Sequence, residues 1–158
     1  MIEYIEGNLL DSDCDYICHQ VNCRGVMGAG IARQIRERWP LVYSSYKAHC
    51  ERCRNGDDTL LGTLWGVAID RDNRSSQWVI NMFAQDDYGY YDSRFTSYDA
   101  FAKCLEQMRD RLPIDKTIGF PKGIGCGFGG GDWNVISSLI ESILGSSHHV
   151  YIYELKEG

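Results

Sequence analysis

The stretch FPKGIGCGFGGGDW, Phe120 to Trp133, places six glycines among the nine residues from Gly123 to Gly131. A glycine fixed on folding loses more conformational entropy than any other residue, so such a cluster marks backbone at positive φ or backbone lying close to something else. It follows a strand-like run, Thr117 to Pro121, and precedes an amphipathic run that begins near Trp133. A second such stretch, NCRGVMGAGIA from Asn22 to Ala32, sits between the strand-like run ending at Val21 and a helical run containing Ile31 and Ile35. Strand, glycine loop, helix, stated twice, is the grammar of an α/β protein.

The rest of the chain agrees. Runs rich in β-branched and aromatic residues occur at Ile2 to Ile5, Tyr16 to Val21, Thr63 to Ile69, Trp78 to Phe83, Thr117 to Pro121 and His149 to Leu155. Between them lie helical spacings: Ile31, Ile35 and Trp39 before Pro40; Tyr98, Phe101, Ala102, Leu105, Met108 and Leu112; and Val135, Ile136, Leu139, Ile140, Ile143 and Leu144. A further helix with a weaker apolar face is expected from Val42 to about Cys53. Strands alternating with helices predict a mixed, mostly parallel sheet inside a three-layer α/β/α sandwich. The polar run Asp70 to Ser76 reads as a hairpin turn, and the aromatic run DDYGYYDSRFTS, Asp86 to Ser97, as a functional loop.

Length and composition bound the answer. With 158 residues, 44% of them hydrophobic, the chain suits one domain over residues 1–158 around one core. A net charge of −6 supplies no broad basic surface for sequence-independent contact with a nucleic-acid backbone, although a few backbone amides can still bind a small anion. Seven scattered cysteines behind an acidic, strand-like opening, MIEYIEGN, point to a reducing cytoplasm and form no disulfide framework. The lone CERC at Cys50 to Cys53 lacks a second pair to complete a zinc site. No apolar run approaches the ~20 residues needed to span a bilayer.

In an open α/β sheet, ligands bind outside the carboxyl ends of the strands, where both glycine loops are expected. Each would offer free amides at a helix N-terminus, and two such loops suit a diphosphate. Gly125, Gly127 and Gly130 fit GxGxxG, but only 28 residues follow Gly130, too few for the rest of a dinucleotide-binding half. Neither loop continues into Gly-Lys-Ser/Thr, which removes the main support for nucleotide triphosphate hydrolysis.

These residues resemble the macro domain family. The likeness rests on VNCRGVMGAGIA and FPKGIGCGFGGGDW and extends from GNLL at Gly7 to YIYEL at Tyr151. Through GNLL, HQVNCRG, GAGIARQI and RWP it looks closest to the branch of ADP-ribose 1''-phosphate phosphatases and terminal ADP-ribose glycohydrolase-like proteins. The resemblance implies ADP-ribose or a derivative as ligand, with no metal and no cofactor. It puts Asn8 and Leu9 at the adenine, where most members carry an Asp in place of Asn8, and Asn22 at the distal ribose. Gly28, Ala29, Gly30 and Ile31 would form the first phosphate loop. Gly125, Cys126, Gly127, Phe128 and Gly129 would form the second, with Phe128 beside the distal ribose. Tyr153 corresponds to an aromatic that stacks on adenine, unless it is an alternating core residue of its strand.

Candidates for chemistry are few. His19, at the end of a strand leading to the site, matches a histidine of the phosphatase-like sequences and suits a general base or acid; a satisfied strand histidine is the alternative. His49, His148 and His149 read as surface residues. Asp132 suits an N-cap, a general base facing the distal ribose, or both. Asp86 and Asp87 read as paired carboxylates near the site or as a solvated loop. Members that use a covalent lysine carry it where this chain has Ala84 and Gln85, and no Lys lies between Lys47 and Lys103. The aspartate those members place in the second loop falls on glycine, near Gly129. Cys23 and Cys126 lie in the loops with no base paired to them in the sequence. The expected activity is hydrolysis of ADP-ribose 1''-phosphate. The alternatives are removal of ADP-ribose from modified protein or nucleic acid, or reading of ADP-ribose without catalysis. No membrane and no direct sequence-specific nucleic-acid contact are expected.

Overall fold

The structure, a computed structural model, describes residues 2–54, 60–69, 76–86, 96–127 and 129–155. In chain order the elements are β1 Ile2–Glu6, a 3-10 turn Leu9–Asp11, β2 Tyr16–Asn22, α1 Gly30–Arg38, α2 Pro40–Arg54 and β3 Leu64–Ile69, then β4 Gln77–Gln85, α3 Tyr98–Arg111, β5 Thr117–Pro121, α4 Trp133–Leu144 and β6 His149–Glu154. The strands form one sheet in the order β1-β6-β5-β2-β4-β3. Every neighbouring pair is parallel except β3 with β4, which pair antiparallel from Ile69–Gln77 to Leu64–Met82. That is the relation of the expected hairpin, although residues 70–75 of its turn lie outside the described residues.

Period-2 alternation divides the core in two. On one face Cys18, Ile80, Met82, Phe120 and Ile152 pack under Phe101, Leu105 and Met108 of α3 and Ile136, Ile140 and Leu144 of α4. On the other, Ile17, Val21, Val79 and Phe83 pack under Ile35 of α1 and Val42, Tyr46 and Cys50 of α2. Both faces of the parallel strands are thus covered, which explains why those strands read as near-continuous apolar runs. Val42, Tyr46 and Cys50, four residues apart, give α2 a buried stripe despite its weak amphipathicity. Pro40 opens α2 with the fixed φ that a first helical residue needs.

Gly119 in β5 shapes the entrance to the site. A Cβ there would lie 2.6 Å from Leu9 Cδ1 and 2.8 Å from Cys14 Sγ. Its absence lets the 3-10 turn sit against the sheet and carries Asn8 and Leu9 to the carboxyl edge.

Candidate functional site

Over the carboxyl ends of β2, β5 and β6 lies a cleft of about 1020 Å³, at the upper end of the ~300–1,000 Å³ usual for small-molecule sites. The β2–α1 loop forms one wall. Asn22, at a register shift closing β2, staples this loop: its Oδ1 accepts from the amides of Arg24 (3.0 Å) and Val26 (3.3 Å), while its Nδ2 donates to the Val26 carbonyl at 2.7 Å. The buried Tyr46 hydroxyl lies 2.7 Å from the Asn22 carbonyl and 2.8 Å from its Oδ1. Asn22 lines the cleft with one Nδ2 hydrogen left for a ligand. Gly28, Ala29, Gly30 and Ile31 also line it. Ala29 is the N-cap of α1 and has no side chain with which to cap, and the first helical bond runs from Arg33 N to the Ala29 carbonyl. Gly30, Ile31 and Ala32 therefore present N–H groups with no acceptor in the helix.

The second loop forms the facing wall. Its backbone bonds to itself in alternation: Ile124 N to Pro121 O, Cys126 N to Gly123 O, Gly130 N to Gly127 O, and Gly131 N to Gly125 O. Among the described residues, the amides of Gly125, Gly127 and Gly129 take no acceptor, and these three glycines line the cleft. Gly125 has φ +76 and Gly130 φ +74, which side chains rarely adopt. A Cβ on Gly129 would meet Thr96 Oγ1 at 2.4 Å, and one on Gly131 would meet the Gly125 carbonyl at 2.8 Å. Cys126 is not among the lining residues, and Phe128 lies outside the described residues.

This wall differs from expectation in one respect. The α4 N-terminus is not open: Asp132 caps it, Oδ1 accepting from Asn134 N at 2.8 Å, while Asp132 N donates to the Tyr98 hydroxyl at 2.9 Å. Asp132 is exposed and does not line the cleft. The carboxylate is held by the helix it begins, which argues for the cap and against a base at the ligand. The donors of this wall come from the loop backbone alone.

At the β1–β6 end, Asn8 Oδ1 accepts from Leu10 N at 3.0 Å, capping the 3-10 turn, and Leu9 is buried beside it. Tyr153 is half-buried and lines the cleft next to Gly7, so its side chain borders the space as well as the core. Lys122 Nζ and Glu154 Oε2, both lining the cleft, pair at 3.1 Å.

His19 is placed elsewhere. It is fully buried on the α1–α2 side of β2, its Nε2 2.6 Å from Asn81 Oδ1 and its Nδ1 without a partner. Asn81 in turn donates to the Trp65 carbonyl at 2.9 Å. Burial drives the His19 pKa down to about 4, against which the Asn81 bond works weakly. With no exposed surface and no place in the cleft lining, His19 does not reach a ligand there, which corrects the expectation that it activates water. The alternative, a satisfied strand histidine, is met in part: Nε2 has a partner in Asn81, and Nδ1 has none among the described residues. His148 is likewise buried, bonded to the Leu112 carbonyl at 2.8 Å, and not a surface residue.

The loop thiols are not activated. Burial, with the Asp86 charge beside it, pushes Cys23 up to about 12, and burial with Asp132 nearby raises Cys126. Asp86 pairs with Arg24 at 2.9 Å, and its carbonyl accepts from Cys23 N at 3.0 Å, tying β4 to the first loop; Asp87 lies outside the described residues. Among the described residues no cluster of three His, Cys, Asp or Glu could hold a metal, and no helix is long and apolar enough to cross a membrane.

Three residues were not expected at the cleft, although Gln85 stands at the lysine position and Thr96 falls in the run read as a functional loop. Gln20 and Gln85 line the cleft, and Gln20 Nε2 donates to Gln85 Oε1 at 2.7 Å and to Thr96 Oγ1 at 2.8 Å. Thr96 then bonds the second loop twice, from its hydroxyl to the Gly125 carbonyl at 2.7 Å and from its N–H to the Gly129 carbonyl at 2.9 Å. Gln20 was visible as a polar residue near a strand end. Nothing in the sequence joins Thr96 to a loop about thirty residues away.

No family model matches the chain. Over 142 residues it is 29% identical to the DNA ADP-ribosyl glycohydrolase of Mycobacterium tuberculosis, covering 90% of this chain but only 38% of that protein. Over 97 residues it is 28% identical to the ADP-ribose 1''-phosphate phosphatase of Meyerozyma guilliermondii, 56% of this chain and 55% of that one. Sheet, helix pairs and facing walls define an α/β/α domain with two sets of backbone donors at its carboxyl edge. The macrodomain of Mycobacterium tuberculosis DarG superposes on it with a TM-score of 0.78 at 26% identity, over 97% of both chains. The chain has the macrodomain fold.

Proposed function

We propose that the chain, one macro domain over residues 1–158, binds ADP-ribose in this cleft and hydrolyses ADP-ribose 1''-phosphate to ADP-ribose and inorganic phosphate. The observation that carries the reading is the pair of facing donor sets, the open α1 N-terminus and the Gly125, Gly127 and Gly129 amides, with no acceptor for either among the described residues. A diphosphate supplies acceptors to both walls at once. Adenosine then lies toward Tyr153 and Asn8, and the distal ribose toward Asn22 and Gln85. These ends are three strand spacings apart, from β6 to β4, or roughly 14 Å.

The distal end favours a phosphate substituent. Among the described lining residues the ionisable side chains are Lys122, Tyr153 and Glu154, all at the other end, so no carboxylate there repels a terminal phosphate. Phosphoryl transfer asks a protein mainly for positioning and charge stabilisation, which backbone amides supply. Water adds at phosphorus, the bond to the C1'' oxygen breaks, and the ribose oxygen leaves with a proton. Glycosidic cleavage asks instead for an acid, a base or a covalent amine. Ala84 and Gln85, which stand where the resemblance puts the amine of the lysine-using members, cannot serve.

The second reading, removal of ADP-ribose from DNA, is favoured by the mycobacterial relative, whose likeness covers 90% of this chain. In either case the partners are ADP-ribose derivatives or ADP-ribosylated macromolecules, in the cytoplasm, without cofactor or membrane. The test is phosphate release from ADP-ribose 1''-phosphate beside ADP-ribose release from a modified oligonucleotide, with calorimetric titration of ADP-ribose. Faster turnover of the sugar phosphate supports the proposal, and faster turnover of the oligonucleotide replaces it with the second reading. Tight ADP-ribose binding with neither turnover leaves a reader, and no ADP-ribose binding sinks the whole assignment.

A further inference from the structure

We propose that Thr96, held by Gln20, is a positioning residue that holds the Gly125 and Gly129 carbonyls of the second loop turned away from the ligand, leaving the loop's free amides available to it; the inference rests on ADP-ribose occupying the cleft. A glycine-rich loop has no side chains with which to hold itself, and rotated peptides would offer carbonyl oxygens to phosphate oxygens. Thr96 blocks that rotation at both ends of the Gly125–Gly129 segment. Its hydroxyl donates to the Gly125 carbonyl, which also accepts from Gly131 N at 2.8 Å, and its N–H donates to the Gly129 carbonyl.

The proton bookkeeping leaves one arrangement. The Thr96 hydroxyl has one hydrogen and gives it to Gly125, so toward Gln20 it accepts, and Gln20 presents its NH2 group. That NH2 is shared between Thr96 and Gln85 Oε1, so residues from the ends of β2 and β4 and the start of α3 converge on one loop carbonyl. The hydroxyl also fills the space beside Gly129, where a Cβ would lie 2.4 Å from Oγ1. Thr96 thereby selects glycine at 129 and keeps the loop free of side chains where the ligand's anionic part passes.

The experiment compares Thr96→Val, Thr96→Ser and Gln20→Met with wild type. Thermal unfolding and the affinities for ADP-ribose and for adenosine, which has no phosphate, are measured for each. Thr96→Val keeps the side chain's shape and the N–H bond but loses the hydroxyl; the expected result is a tenfold or greater loss for ADP-ribose with adenosine changed less than twofold. Thr96→Ser restores the hydroxyl and should return ADP-ribose binding to within about threefold of wild type. Gln20→Met removes the support from behind and should fall between them. Wild-type ADP-ribose affinity in Thr96→Val overturns the inference, as does a parallel loss of both ligands. If Thr96→Val does not fold, Gln20→Met decides by the same two affinities. Failure of wild type to bind ADP-ribose refutes the underlying reading instead.

Discussion

His19 ties the stability of this fold to pH, and the size of the effect follows from its surroundings. In the neutral ring Nε2 faces Asn81 Oδ1, while Nδ1 is buried with no partner among the described residues. A second proton would sit on Nδ1 in a fully buried site without an acceptor, which is why the folded pKa falls from 6.5 to about 4. Between those values the unfolded chain binds the proton and the folded one does not, so stability is full above about pH 6.5 and is lost as pH falls toward 4. At about 1.4 kcal/mol per pH unit of separation the full loss is about 3 kcal/mol, of which about 2 kcal/mol is gone by pH 5. Urea unfolding of wild type and His19→Gln from pH 7.5 to 5 measures this contribution as a difference in slope. Glutamine can donate to Asn81 but does not titrate, so its curve should be flatter by about 2 kcal/mol over that range. Equal slopes would refute the reasoning. At pH 7.5 the same variant should keep ADP-ribose affinity and phosphate release; turnover lost with binding and folding intact would return His19 to the chemistry.

Four substitutions probe the walls of the cleft. Ala29→Asp gives α1 the cap it lacks, at a residue already extended (φ −148, ψ 160), so unfolding free energy should rise by about 0.5–2 kcal/mol while calorimetry shows ADP-ribose binding weakened at least tenfold. Gly129→Ala drives a Cβ into Thr96 and the Gly125 carbonyl and should lower both stability, by about 1–3 kcal/mol, and affinity. Gly127→Ala, with open space around it, should leave stability within about 0.5 kcal/mol and act on affinity alone, and denaturant titration separates the two. Tyr153→Ala should weaken ADP-ribose by about 1–3 kcal/mol if the ring stacks on adenine, and an unchanged calorimetric affinity would return Tyr153 to a purely structural role.

The fold was legible because alternation and helical spacing survive in the local sequence. Each strand-like run became a strand, and Val42 to Cys53 lies inside α2. β4 runs on through Ala84 and Gln85, and Gln85 forms an isolated bridge with Thr96, a long-range pairing that no local window contains. The same limit explains His19. Ile17, His19 and Val21 share one face of β2, but in a sheet covered on both sides either parity leads to a buried position. A strand side chain enters the cleft only where the strand outruns its helices, and here that begins at Gln20.

The glycines themselves separate structural need from ligand need. Gly125 and Gly130 satisfy backbone geometry, and Gly129 and Gly131 satisfy packing against Thr96 and the Gly125 carbonyl. Gly127 satisfies neither: its φ is ordinary and, among the described residues, a Cβ on it would meet nothing within 4 Å and its N–H has no acceptor, yet it lines the cleft. A residue without an internal reason to be glycine, at the surface of a wall of free amides, is explained by what approaches it from outside. In the proposed complex a Cβ there would stand between the loop amides and the phosphate oxygens. The entropy that six glycines lose on folding thus divides between shaping the loop and leaving its inner face bare for the ligand.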